Sequence, residues 1–222
     1  MGLPSKSGFL RRALSSMPAR LCFMALTAFF ITVSVWGCAG KKEAVKKYGY
    51  NETLNRWTAG KKIFEGLDAR LYITATYKTT QFRKSYIERY VNSYQLDEGY
   101  AKALMEREME QAESYNEFFF TAYTPEERWN DFNKRASIWR LYLEDDAGAR
   151  LIPISIVKVD PADPLLREFF PYFDLWSYGY VVKFPKYAET GTEPVPGPNT
   201  RHMKLIVTGI LGKGELVWRL KE

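Results

Sequence analysis

The chain has 222 residues, with 32 lysines and arginines against 26 aspartates and glutamates, which gives a formal net charge of +6. Residues 1–37 carry four basic side chains and no acidic one, so the remaining chain is nearly balanced, with 28 basic against 26 acidic residues. This balance argues against nucleic acid as a partner. The single histidine, His202, excludes a zinc site built from two or three histidines of one chain, and no phosphate loop or GxSxG elbow is present. No cofactor or metal is therefore expected.

The first 37 residues have the pattern of an export signal. Lys6, Arg11, Arg12 and Arg20 precede an uncharged apolar run over residues 21–35. A basic segment followed by an apolar run of this length is typical of a signal peptide, and the run is shorter than the roughly 20 residues of a spanning helix. An uncleaved membrane anchor is the alternative.

The apolar run ends in Val35-Trp36-Gly37-Cys38, which resembles the lipobox of bacterial lipoproteins. The resemblance covers about the first 40 residues. It implies that signal peptidase II cuts before Cys38 and that Cys38 carries lipid, which ties the protein to a membrane of the cell envelope. Ala39, in place of Asp, favours the outer membrane facing the periplasm over the inner membrane.

Residues 38–50 are predicted to form the lipidated cysteine and a basic tether. The four lysines at positions 41, 42, 46 and 47 are expected either to attract anionic lipid head groups or to be merely solvated. Residues 51–222 are long enough for a single domain with a real core. Cys22 lies in the signal, so no disulfide supports this domain.

The sequence of the first half of the domain predicts a short helix, one strand and a pair of helices. Asn51 is expected to cap a short helix over residues 52–58 that ends at Gly60. Residues 68–79 alternate apolar and polar side chains with a period of two, which predicts a strand. Residues 82–113 change to a helical period, with Gly99 as the interruption and Asp97 as the cap of the second helix. The tyrosine row along this segment is expected to face the core, with a ligand-binding face as the alternative.

The second half predicts further strands joined by short turns. Residues 117–123 form one strand, and a helical turn capped by Thr124 follows. A hairpin is expected around residues 145–148, with Pro153 marking an edge or a bulge in its second strand. A short helix near Pro164, a strand in residues 176–185, a long polar loop over residues 187–201 and two strands around a turn at 212–214 complete the domain.

These elements predict a mainly β domain with inserted helices. The expected architecture is an antiparallel β-sandwich of about seven strands, with an immunoglobulin-like topology as one candidate, and a helical hairpin inserted at residues 82–113.

The sequence favours a non-catalytic binding or assembly module of the envelope. Its partner would be another envelope protein, a lipid or a glycan, and subunits of envelope machines belong to the same class. Candidate contact residues are Phe169, Phe170, Tyr172 and Phe173, for which a core plug is the alternative, together with the loop over residues 187–201.

The alternative function is a carboxylate-dependent hydrolase acting on envelope polysaccharide. Such an enzyme needs two acids that face each other across a cleft. The candidate acids lie in turns and near strand ends, where aspartate commonly supports the local backbone: Asp145, Asp146, Asp160, Asp163 and Asp174.

Overall fold

The structure is a computed structural model that describes residues 49–189 and 191–221, all within one compact unit. The predictions for the signal segment 1–37, for Cys38 and for the tether up to residue 48 lie outside these residues. No helix in the described part is both long and apolar enough to cross a membrane.

Nine strands are present in the described residues: β1 Thr58–Glu65, β2 Asp68–Tyr77, β3 Tyr115–Tyr123, β4 Trp139–Asp145, β5 Arg150–Leu151, β6 Ser155–Lys158, β7 Tyr178–Pro185, β8 His202–Gly209 and β9 Gly212–Arg219. The helices are α1 Tyr50–Arg56, α2 Thr80–Tyr94, α3 Glu98–Ser114 and α4 Pro164–Phe169, with a short 3-10 helix at Glu127–Trp129.

The strands form two antiparallel sheets, with the orders β1-β2-β3-β7-β6 and β5-β4-β8-β9. Apart from β1, the first sheet has the A-B-E-D order of an immunoglobulin sandwich, and the second has the C′-C-F-G order. The strand β1 extends the first sheet beyond its A strand. The prediction of a mainly β, antiparallel fold with inserted helices is therefore confirmed.

The core lies between the two sheets and is rich in large side chains. Phe118 of β3 and Trp218 of β9 meet with ring centroids 5.2 Å apart, and both rings are buried. The indole N–H of Trp218 donates to the carbonyl of Trp57 at 2.8 Å, so a buried polar atom is satisfied. In β2 the alternating residues Leu71 and Ile73 face this core, as the period of two predicts.

The helical hairpin is inserted between β2 and β3. Thr79 and Asp97 cap α2 and α3, because each side chain accepts the backbone N–H three residues on. The break falls at Gln95, whose φ of 49° ends α2, and not at Gly99, which lies in the first turn of α3. The predicted core-facing stripe holds for the first half of α2, which buries Phe82 and Ile87, but Tyr94 at the end of the row is exposed, and α3 buries no residue fully.

Other sequence predictions need correction. The first helix begins at Tyr50 with Gly49 at its N-cap, so Asn51 is inside the helix. Gly60 belongs to β1, an edge strand that the sequence did not predict. The helical turn predicted after Thr124 is a 3-10 helix, and its N-cap is Glu126 rather than Thr124. The last turn is predicted at residues 212–214, but Gly212 already begins β9, so the turn lies before Gly212.

The predicted hairpin around residues 145–148 is shorter than expected. The strand β5 pairs with β4 through only two residues, and the chain then passes to the other sheet as β6. Pro153 lies in this crossover, between two edge strands. Its lack of a backbone N–H therefore costs neither sheet a hydrogen bond.

Candidate functional site

The aromatic cluster predicted as a partner contact lies mostly in the protein interior. Phe169, Phe170 and Phe173 are each no more than 3% exposed, and only Tyr172 is half-buried. Phe170 packs on Phe119 of β3 with ring centroids 4.2 Å apart. This placement corrects the expectation of a contact surface, because the three phenylalanines plug the outer face of the first sheet and offer almost no surface to a partner.

The candidate carboxylates are held by backbone N–H groups. Asp145 accepts from Ala147 and Ala149, and Asp163 caps α4 by accepting from Leu165. The others follow the same pattern: Asp146 accepts from Arg201, Asp160 from Ala162, and Asp174 from Trp176 and Ser177. Four of the five therefore stabilise a local turn or helix start, whereas Asp146 joins its turn to Arg201, 55 positions along the chain.

A groove opens on the part of the first sheet that the plug leaves uncovered. Its volume is about 540 Å³, and strands β1, β2 and β3 form one side while the segment 172–177 forms the other. We call it the aromatic groove. Its lining residues are Lys62, Tyr72, Thr74, Thr121, Tyr123, Tyr172, Asp174, Trp176 and Ser177.

The strand side of the aromatic groove carries a row of rings. Tyr72 lies 5.7 Å from Phe64 and 5.6 Å from Tyr123, measured between ring centroids. The row follows from the register, because Tyr72 of β2 is directly opposite Tyr123 of β3 and such cross-strand neighbours touch. The ammonium of Lys62 lies over Tyr72, 4.8 Å from its ring centroid.

The opposite side is a loop that presents an indole to solvent. The carboxylate of Asp174 accepts the N–H groups of Trp176 and Ser177 and the hydroxyl of Ser177, which fixes the loop. Trp176 and its neighbour Leu175 are nonetheless 78% and 75% exposed. A large apolar side chain held on an ordered loop beside a groove is a typical contact residue.

Polar side chains line the same groove. Thr74 and Thr121 place hydroxyl groups along the strands, and Ser177 places one on the loop. The Tyr172 hydroxyl bonds to Thr76 at 2.6 Å, and burial raises the pKa of this phenol well above its ordinary value. The hydroxyl of Tyr172 is thus engaged within the protein, by Thr76 and by the carbonyl of Phe119.

Of the residues that line this groove, the sequence singles out only Tyr172, as a partner contact, and Asp174, as a candidate acid. The pattern indicates no more than strand residues at Tyr72 and Tyr123, and it predicts a strand at Trp176, which lies in the loop before β7. The available signal was an outward-facing aromatic residue on two successive strands, which becomes informative only when those strands are known to be neighbours. In the described residues no group of three or more His, Cys, Asp or Glu side chains is arranged to hold a metal ion.

No protein-family model matches the chain, and no curated protein matches it. A solved structure of a protein of unknown function from Burkholderia pseudomallei is similar over 78% of this chain and 81% of its own, with 9% sequence identity and a TM-score of 0.38. A similarity at this level carries no argument about function.

Proposed function

We propose that the protein is an envelope lipoprotein, anchored through lipid on Cys38, whose domain is a non-catalytic glycan-binding module. The aromatic groove is the proposed binding site. The observation that carries this proposal is the pair of rings Tyr72 and Tyr123 on neighbouring strands, with the exposed indole of Trp176 and hydroxyl groups lining the same groove.

A glycan suits the chemistry of this groove. The faces of sugar rings carry C–H groups that pack on flat aromatic rings such as Tyr72 and Trp176, and the negative ring face attracts the positively polarised C–H bonds. The sugar hydroxyls need donors and acceptors, which Thr74, Ser177 and the carboxylate of Asp174 provide. A mainly aromatic groove with a few fixed polar groups is the ordinary form of a small-ligand site.

The carboxylate count supports binding rather than hydrolysis. Among the described residues that line the aromatic groove, Asp174 is the one acid, and it accepts three hydrogen bonds from its own loop. Glycoside hydrolysis by the usual route needs two carboxyl groups about 5–9.5 Å apart across the substrate. No observation in this groove favours the hydrolase alternative.

The lipid anchor is tested by labelling. Cells that express the full chain are grown with radiolabelled palmitate, which we expect to enter the protein. Cys38→Ser should abolish the incorporation, while Cys22→Ser, a matched cysteine within the proposed signal, should retain it. A mature protein that begins at Met1 and contains no fatty acid would overturn this part of the proposal.

Glycan binding is tested with purified peptidoglycan sacculi as the probe. The full chain, solubilised in a polyoxyethylene detergent that contains no sugar, is co-sedimented with the sacculi. We expect Trp176→Ala to weaken binding at least about tenfold, as loss of a central aromatic contact does elsewhere.

The matched control is Tyr94→Ala, because Tyr94 is an exposed aromatic residue of α2 outside the groove. The control should bind as the wild type does. Equal losses in the two variants, or no binding by the wild type to sacculi or to soluble chitotetraose, would refute the glycan assignment.

A further inference from the structure

A second groove lies toward the other end of the sandwich and is lined mainly by cations. It has a volume of about 1070 Å³ and opens between the end of α1, the start of β1, the start of β8 and the end of β9. We call it the basic groove. Its basic lining residues are Arg56, Arg201, His202, Arg219 and Lys221, and no acidic residue is among the described residues that line it.

The strand register brings these charges together. His202 of β8 is directly opposite Arg219 of β9, Arg201 precedes His202, and Lys221 lies two residues after Arg219. The cations Arg201, Arg219 and Lys221 are thereby gathered at one edge of the sheet, and a bound anion would reduce the repulsion among them.

Two lysines elsewhere on the same sheet are paired with acids. Lys204 pairs with Glu144 at 3.0 Å, and Lys213 pairs with Glu215 at 3.2 Å. By contrast, no described carboxylate lies within salt-bridge distance of the side chains of Arg201, Arg219 or Lys221.

The contacts that do occur leave the guanidinium groups of Arg201 and Arg219 accessible. The acid beside the groove, Asp146, accepts the backbone N–H of Arg201 at 2.9 Å rather than its side chain. The Lys221 ammonium donates to the carbonyl of Pro198, and Arg56 lies over the ring of Trp57, 5.5 Å from its centroid. Arg201 and Arg219 are both exposed.

We propose that the basic groove binds the phosphate groups of an anionic ligand. Guanidinium groups donate paired N–H bonds that match the oxygens of phosphate, and such charge-assisted bonds are among the strongest in proteins. Three arginines, a lysine and a histidine around one open groove suit a ligand with more than one phosphate, or a row of phosphate-bearing head groups. This site is separate from the aromatic groove and does not depend on the proposed glycan binding.

Calorimetric titration of the full chain in neutral polyoxyethylene micelles tests the assignment, with inorganic pyrophosphate as the probe. Arg201→Ala and Arg219→Ala should each weaken binding about tenfold, the loss expected for one charge-assisted contact. Lys213→Ala is the matched control, because it removes an exposed cation from the same strand as Arg219 and should leave the affinity unchanged. Unfolding midpoints equal to that of the wild type establish that the variants are folded.

Two further titrations, one with competing lipids and one with succinate, identify the source of the phosphate and test whether the site prefers phosphate to carboxylate. If phosphatidylglycerol added to the micelles displaces pyrophosphate and phosphatidylcholine does not, the ligand is a lipid head group; if neither displaces it, the ligand is a soluble phosphate compound. Both results support the site. Absence of pyrophosphate binding by the wild type, an equal loss in Lys213→Ala, or equally tight binding of succinate would overturn the proposal.

Discussion

Replacement of Glu117 by Gln tests how the helical insertion is held on the sandwich. The Glu117 carboxylate on β3 lies 2.5 Å from the ammonium of Lys78, 3.2 Å from the guanidinium of Arg83 and 3.7 Å from the ammonium of Lys183. Arg83, on α2, has a side chain with no exposed surface and also pairs with Glu108 of α3. One buried charge network thus joins both helices to the first sheet.

The cost of neutralising Glu117 follows from the burial of Arg83. Because the guanidinium cannot reach water, loss of its partner on β3 leaves a buried charge compensated by Glu108 alone. Breaking a buried pair from one side typically costs about 3–5 kcal/mol. We expect Glu117→Gln to lower the free energy of unfolding by about 3 kcal/mol, since Glu108 retains part of the compensation.

The network also predicts a pH dependence. Burial alone would raise the pKa of Glu117, but the charges of Lys78, Arg83 and Lys183 outweigh it and hold that pKa below its ordinary value of 4.5. A carboxylate whose pKa is depressed by folding stabilises the fold above its unfolded pKa, and this contribution disappears as the pH falls through the folded pKa. The difference between wild type and Glu117→Gln should therefore shrink as the pH falls below about 4.5.

Urea denaturation of the full chain, followed by tryptophan fluorescence, measures both effects. Glu65→Gln is the matched control, because Glu65 pairs with Arg70 at 2.7 Å but its side chain is 71% exposed. Removal of such a surface pair should cost less than about 1 kcal/mol. A loss of under 1 kcal/mol for Glu117→Gln, or a difference between the variants that does not change with pH, would refute the reasoning.

Three further predictions concern packing and backbone conformation, each measured as the free energy of unfolding in urea. Phe170→Ala should cost about 3–5 kcal/mol because the ring is buried, whereas Trp176→Ala should cost less than about 0.5 kcal/mol; similar costs would contradict the division between core plug and exposed contact. Gln95→Gly should stabilise the protein by roughly 0.5–1 kcal/mol, because glycine adopts a φ of 49° without strain, and a destabilised variant would contradict it. Gly209→Ala should cost at least about 1 kcal/mol, because its Cβ would lie 2.3 Å from the carbonyl oxygen of Ile138, and an unchanged midpoint would show that this site relaxes freely.

The sequence was most informative where one face of an element is buried. The alternation in β2 and the cap at Asp97 are both predictable from the sequence, because each is visible as a pattern over a few consecutive residues. The strand β1 was missed because only Ile63 of its eight residues is fully buried, so an edge strand shows almost no alternation. The division of one predicted strand into β5 and β6 depends on the partner sheets, which the local pattern around Pro153 does not specify.

The two grooves were beyond sequence reasoning for a related reason. Tyr72 and Tyr123 are 51 positions apart, and they become neighbours only through the pairing of β2 with β3 across the helical insertion. His202 and Arg219 likewise meet only through the pairing of β8 with β9. The near balance of total charge hid this local excess of cations, because the pairing of strands and not the composition brings them together.

The two grooves lie toward opposite ends of the sandwich. The basic groove lies where α1 ends in Arg56, beside the start of β8 and the end of β9. The aromatic groove includes Tyr123 at the last position of β3 and Ser177 just before β7, which places it toward the opposite end. Because the two grooves share no lining residue, a substitution in one groove is expected to leave binding in the other unchanged.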